Sequence, residues 1–132
     1  MSATVHGAWD WRELATKVAA KYKRGQLRSI VLVGYSAGAT SVADMATRLG
    51  ELGTPVKLVI AVDPVWPTVA DGRVDRFVNY YGRGMRVARG KQFKGRLQNV
   101  DLAGIASLDH SSLDTDKSMQ RRVISSIRAV MR

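Results

Sequence analysis

The stretch Ile30-Val31-Leu32-Val33-Gly34-Tyr35-Ser36-Ala37-Gly38 decides how this chain is read. An unbroken apolar run is what a strand buried on both faces requires. The run leads straight into G-x-S-x-G, and small residues able to open a helix follow. A serine between a strand and a helix is forced onto a tight turn, so its hydroxyl projects from the sheet edge. Gly34 and Gly38, two positions to either side, are expected to remove Cβ atoms that would collide in that turn.

The pattern extends in both directions. Residues 4–7 read as the end of a short strand. Asp10 is placed to cap a helix, with Glu13 completing a capping box. Trp11, Leu14, Val18 and Tyr22 share one face at helical spacing, and Gly25 is suited to stop that helix. After Ser36 a helix is expected to about residue 49, kept slim by Ala37, Ala39, Ala43 and Ala46. Residues 56–62 read as the second clear strand, ending at Asp63-Pro64 because proline cannot donate to a ladder. Residues 76–81 and 97–102 read as a third and a fourth strand. The last helix is expected over 115–131, with Met119, Val123, Ile127 and Val130 as its buried stripe. Asp114 or Thr115 would cap it and Asp116 would lie in its first turn. This alternation predicts an α/β fold, a mostly parallel sheet flanked by helices, in one domain spanning 1–132. Segments 63–75 and 82–96 are just long enough for parallel crossovers and leave little room for helices.

Bulk composition narrows the function. With 132 residues and 45% hydrophobic content a real core is possible. The absence of cysteine excludes disulfides, thiolate catalysis and Cys-based zinc sites. No apolar run reaches the roughly 18 residues of a membrane helix, and no signal-peptide pattern opens the chain, so a cytoplasmic location is expected. The formal net charge of +10 favours nucleic acid, anionic lipid or acidic polymers as partners, unless it only solvates a basic face. Much of it lies in 82–96, where Arg83, Arg86, Arg89, Lys91, Lys94 and Arg96 occur without an acid. That segment reads as a cradle for an anionic partner or as a mobile solvated loop. His6, His110 and the scattered aspartates make no metal-ligand spacing, and Gly82-x-Gly84 lacks a dinucleotide-binding context, so no metal or cofactor is expected.

A serine hydroxyl becomes a nucleophile when a base lies within hydrogen-bond reach and an acid orients that base. The chain has two histidines, His6 and His110. Sites built on such an elbow carry serine, acid and histidine in that order along the chain. Ser36, Asp63 and His110 obey it, whereas His6 precedes the serine. Asp63 stands at the C-terminal end of a strand, where ligands gather in open α/β sheets. Its rivals are Asp75, before the third strand, and Asp109, beside the histidine. The plainer readings are a strand-end aspartate bonded to loop amides and a surface-loop histidine. Tyr35, inside the elbow, and Trp66, after the acid, are the candidate substrate contacts; Trp66 is equally suited to cover the core.

Four segments carry a family resemblance: residues 31–38 around the elbow, Leu58-Val59-Ile60-Ala61-Val62-Asp63-Pro64, Val78-Asn79-Tyr80-Tyr81, and Asn99-Val100-Asp101-Leu102 followed by His110. With them the chain from residue 30 onward resembles the second half of small serine esterases, lipases and thioesterases of the α/β-hydrolase superfamily. The resemblance implies hydrolysis of a carboxylic ester or thioester through an acyl-enzyme on Ser36. It also implies an oxyanion hole of two backbone amides, one from Ala37. His6-Gly7-Ala8-Trp9 is similar to the His-Gly loop of some esterases, which implies a second donor at Gly7 or Ala8; equally, the segment belongs to the strand one unit later, which leaves the second donor missing. Family members carry further strands ahead of the elbow strand, and here 29 residues precede residue 30. Two rival expectations follow. The chain is a catalytically impaired or truncated hydrolase-fold protein that binds through a sheet edge or forms a homo-oligomer. Alternatively it is a basic nucleic-acid or anion-binding domain that uses 83–96.

Overall fold

The computed structural model describes residues 6–103 and 116–131. Its elements in chain order are α1 (Trp11–Lys23), β1 (Val31–Tyr35), α2 (Ala37–Glu51), β2 (Val56–Val62), β3 (Val69–Ala70), β4 (Val74–Tyr81), β5 (Ala88–Arg89), β6 (Arg96–Asp101) and α3 (Lys117–Val130). The fold is α/β, with a parallel sheet flanked by helices. Strands lie in the order β1-β2-β4-β6 and every pair is parallel. Val33 stands opposite Ile60, and Ile60 opposite Val78, so the C-terminal ends of the strands gather at one edge. β2 has strands on both sides and helices on both faces. That explains why it is apolar at every position but Lys57, whose ammonium reaches the Asp75 carboxylate at 3.4 Å.

Two cores hold the layers together. On one face Ala39, Ala43, Ala46 and Leu49 of α2 pack on Val59, Ala61 and Phe77. α1 lies on α2 through the buried Ala15 and Ala19, with Trp11, Leu14, Val18 and Tyr22 packed around them. The alanines let the helices approach closely, so the expected apolar stripe of α1 ends half-buried while its smallest residues go deepest. On the other face Leu58, Ile60, Val62, Val78 and Tyr80 meet Met119 and Val123 of α3, flanked by Ile127 and Val130. α1 and α2 both end in a left-handed glycine, Gly25 at φ 74° and Gly53 at φ 77°. In each, the next two amides fold back onto the last turn, Gly25 N to Tyr22 O and Gln26 N to Lys21 O in the first case.

Neither crossover carries a helix, in keeping with their short length, but several other expectations change. Residues between β2 and β4 hold β3, those between β4 and β6 hold β5, and β3 and β5 pair as a parallel two-stranded sheet. Ala70, Val87 and Phe93 join the core on the α2 side, so these loops cover that face in place of helices. Segment 82–95 is exposed at most positions, as a solvated loop would be, yet it is tied to the fold at several points. Val87 is buried, and its amide and carbonyl are bonded to the Asn99 side chain at 2.8 and 3.1 Å. The Met85 amide donates to Pro64 O at 2.9 Å. Asp10 stands at the N-cap of α1 without a side-chain cap bond, so the capping box does not form. Asp116, not an earlier residue, caps α3: its carboxylate accepts from the Met119 amide at 2.9 Å and the Ser118 hydroxyl at 2.6 Å. His6 and Gly7 are not in a strand. Among the described residues no helix is long and apolar enough to cross a membrane.

Candidate functional site

The site begins where β1 stops. Ser36 follows its last residue and precedes α2, with φ 58° and ψ −120°. L-residues rarely adopt that backbone, and holding one there costs about 1–3 kcal/mol. The turn is enforced by its neighbours. A Cβ on Gly34 would stand 2.0 Å from the Gly38 carbonyl oxygen, so only glycine lets the helix start fold back over the strand end. The expectation for Gly38 does not hold in the same way, because a Cβ there meets nothing within 4 Å among the described residues.

The elbow is tied to the next strand. The Ser36 amide donates to Val62 O at 2.9 Å, continuing the β1–β2 register in which Tyr35 faces Val62. Ser36 therefore stands beside Asp63, about 5 Å away across the sheet. Asp63 is 1% exposed and also kinked, with φ 53°. Its amide donates to Tyr80 O at 2.7 Å, and its Oδ1 accepts from the Gly82 and Gly84 amides at 2.9 and 2.5 Å. A Cβ on Gly84 would fall 2.5 Å from that oxygen, so glycine is what allows the loop to close on the acid. Asp63 thus has the loop-amide bonds of the plainer reading and also the position beside the serine. Asp75 is removed as a rival. It lies at the opposite end of β4, about 17 Å of strand away, and pairs with Lys57. His110 and Asp109 lie outside the described residues.

Ala37 is the first residue of α2. Its amide is among those a helix leaves without an intrahelical acceptor, at the end where the macrodipole favours negative charge. The Gly7-Ala8 segment comes to this same end. The Ser41 hydroxyl donates to Ala8 O at 2.5 Å and to Ala37 O at 3.2 Å. Ser41 is five residues along α2 from Ser36, about 7 Å of helix axis. Beside it, the Thr40 and Thr68 hydroxyls are 2.8 Å apart, and Thr68 Oγ1 donates to Trp66 O at 2.8 Å. Adjacent residues of α2 therefore anchor both flanking loops. The Trp9 and Trp66 rings meet across them as a tilted pair, centroids 5.8 Å apart and planes at 44°. Trp66 is 44% exposed at the rim and does not cover the core. Tyr35 points away from α2, packed against the core under α3.

The structure brings Ser36, Ala37, Asp63, Gly7, Ala8 and Trp66 to one end of the sheet. Sequence reading missed Thr40, Ser41, Gly84 and the Asn79–Asn99 pair. Asn79 is fully buried and its amide donates to Met85 O at 2.9 Å and Asn99 Oδ1 at 3.0 Å, fixing the loop behind Asp63. Asparagine among the apolar and aromatic residues of the expected third strand was the signal available for it. Among the described residues no group of His, Asp or Glu is placed to hold a metal ion. Comparison with protein-family models, curated proteins and solved structures finds no match to this chain.

Proposed function

We propose that this protein is a serine hydrolase of α/β-hydrolase-like architecture, cleaving a carboxylic ester or thioester through an acyl-enzyme on Ser36. The observation that carries the reading is the backbone of Ser36. A strained left-handed serine between a parallel strand and a helix, bonded to the strand end that bears a buried aspartate, is what exposing a nucleophile demands.

In this reading Ser36 Oγ attacks the acyl carbon as His110 takes its proton. The oxyanion is held by the Ala37 amide and by a second amide from Gly7 or Ala8. The tetrahedral intermediate collapses, and the leaving alcohol or thiol takes the proton from His110. Water then repeats the sequence and releases the acid. Asp63 orients His110 and stabilises its charged form. The Ser41 hydroxyl holds the Ala8 carbonyl beside the first turns of α2, which keeps this segment near the end where a second donor is needed, and losing one donor costs about 100- to 1000-fold in rate.

The test is hydrolysis of short p-nitrophenyl esters and acyl thioesters. Ser36→Ala and His110→Ala are expected to lower kcat by at least about 1000-fold, while His6→Ala retains most of the rate. Equal activity in wild type and Ser36→Ala would overturn the proposal, and loss in His6→Ala alone would move the base to His6.

A further inference from the structure

The rim around Ser36 carries a feature that hydrolysis does not explain. Trp9 is 79% exposed, Trp66 44%, Val65 41% and Met85 43%. They are contiguous, since the indoles are in contact as a tilted pair, Val65 precedes Trp66, and the Met85 amide bonds to Pro64 O. A residue this apolar and this exposed is ordinary alone, but a joined ridge marks a contact surface. The ridge is held rigidly, because Ser41 fixes the carbonyl before Trp9 and the Thr40–Thr68 pair fixes the loop of Trp66. Beside Met85 stand the exposed Arg83 and Arg86, the latter 3.0 Å from the Tyr81 hydroxyl. The whole chain carries a net charge of +10.

We propose that this ridge docks the protein on a lipid surface rich in anionic headgroups. Indoles are suited to the depth between headgroups and acyl chains, and aliphatic side chains between them have contacts to gain there. Arginines at the edge of such a patch meet anionic headgroups, each favouring binding roughly fivefold. Val65 and Met85 would gain little from the polar backbone of a nucleic acid, which sets lipid above a polyanion as the occupant. Docking in this orientation turns the Ser36 end of the sheet toward the membrane. The proposal does not depend on catalysis, and the Ser36→Ala protein carries it equally.

The experiment is co-sedimentation of the full chain, wild type and Ser36→Ala, with phosphatidylcholine vesicles that contain or lack phosphatidylglycerol, with tryptophan emission recorded alongside. Both proteins are expected to bind the anionic vesicles with a blue-shifted emission. The double variant Trp9→Ala/Trp66→Ala should bind at least about tenfold more weakly. Arg83→Gln/Arg86→Gln should lose binding only to anionic vesicles. Trp9→Glu repeats the test at a side chain exposed enough to leave the fold intact, verified by circular dichroism. Absence of binding at low salt would overturn the proposal. So would binding indifferent to both tryptophans, equally tight binding to double-stranded DNA with the same tryptophan dependence, or a stable dimer that buries the indoles and ignores vesicles.

Discussion

At the scale of single residues, the two glycines of G-x-S-x-G look equivalent in the sequence and are not equivalent in space. Gly34 lies in β1 with its missing Cβ directed at the Gly38 carbonyl, whereas Gly38 lies within α2 with open space beside it. Gly34→Ala forces backbone to move and is expected to destabilise by more than about 4 kcal/mol or abolish folding. Gly38→Ala relieves a glycine in a helix and is expected to stabilise by about 0.5–1 kcal/mol. Urea denaturation of both variants checks this, and equal losses would show that the turn is packed differently. The motif was legible because it is a short local pattern. The asymmetry was not, because it depends on how the helix folds back over the strand.

At the scale of elements, Asp63 links the end of β2 to the loop after β4. Because Oδ1 accepts both loop amides, an amide oxygen in its place can keep them, and asparagine tolerates a positive φ. Asp63→Asn is therefore expected to fold with near-native stability and to lose about 10⁴-fold in hydrolysis. Asp63→Ala should lose both, since the Gly82 and Gly84 amides lose their acceptor, at about 1 kcal/mol each for such partly exposed groups. Activity and urea denaturation measured together separate the catalytic role from the structural one. An active Asp63→Asn would leave only the latter.

The cap of α3 belongs at the same scale. Hydrogen bonds from the Ser118 hydroxyl and then the Met119 amide hold the Asp116 carboxyl below its usual range. A carboxyl lowered in the folded state adds stability above its unfolded pKa, and that stability is lost as pH falls through the folded value. The affected window is therefore acidic, below about pH 4. Asp116→Asn keeps a good cap and is expected to flatten the acid-side fall in α3 stability, read by circular dichroism at a series of pH values. An unchanged profile would contradict the cap. The sequence offered Asp114, Thr115 and Asp116 in a row, and a single-residue choice among neighbouring capping types is not encoded in periodicity.

At the scale of the molecule, the four sheet strands and three helices were legible because each is long enough to show a period or an unbroken apolar run. β2 matched over 56–62 and the others within a few residues. β3 and β5 were not, since a two-residue strand has no period to read. The short crossovers were visible as a shortage of chain, and the structure meets it with loops that bring Ala70, Val87 and Phe93 to the core. Of the site, Ser36 and Asp63 could be paired from order and strand ends alone. The anchoring of Ala8 and Trp66 to neighbouring residues of α2 could not, because those contacts join distant parts of the chain.

The proposed function rests on one hydroxyl held at the sheet edge, that of Ser36. Incubation of the intact protein with a fluorophosphonate, followed by peptide mass spectrometry, tests it most directly. A single phosphonate adduct is expected on the peptide containing Ser36, absent from Ser36→Ala. An unmodified wild-type protein, or an adduct that persists in Ser36→Ala, would contradict it.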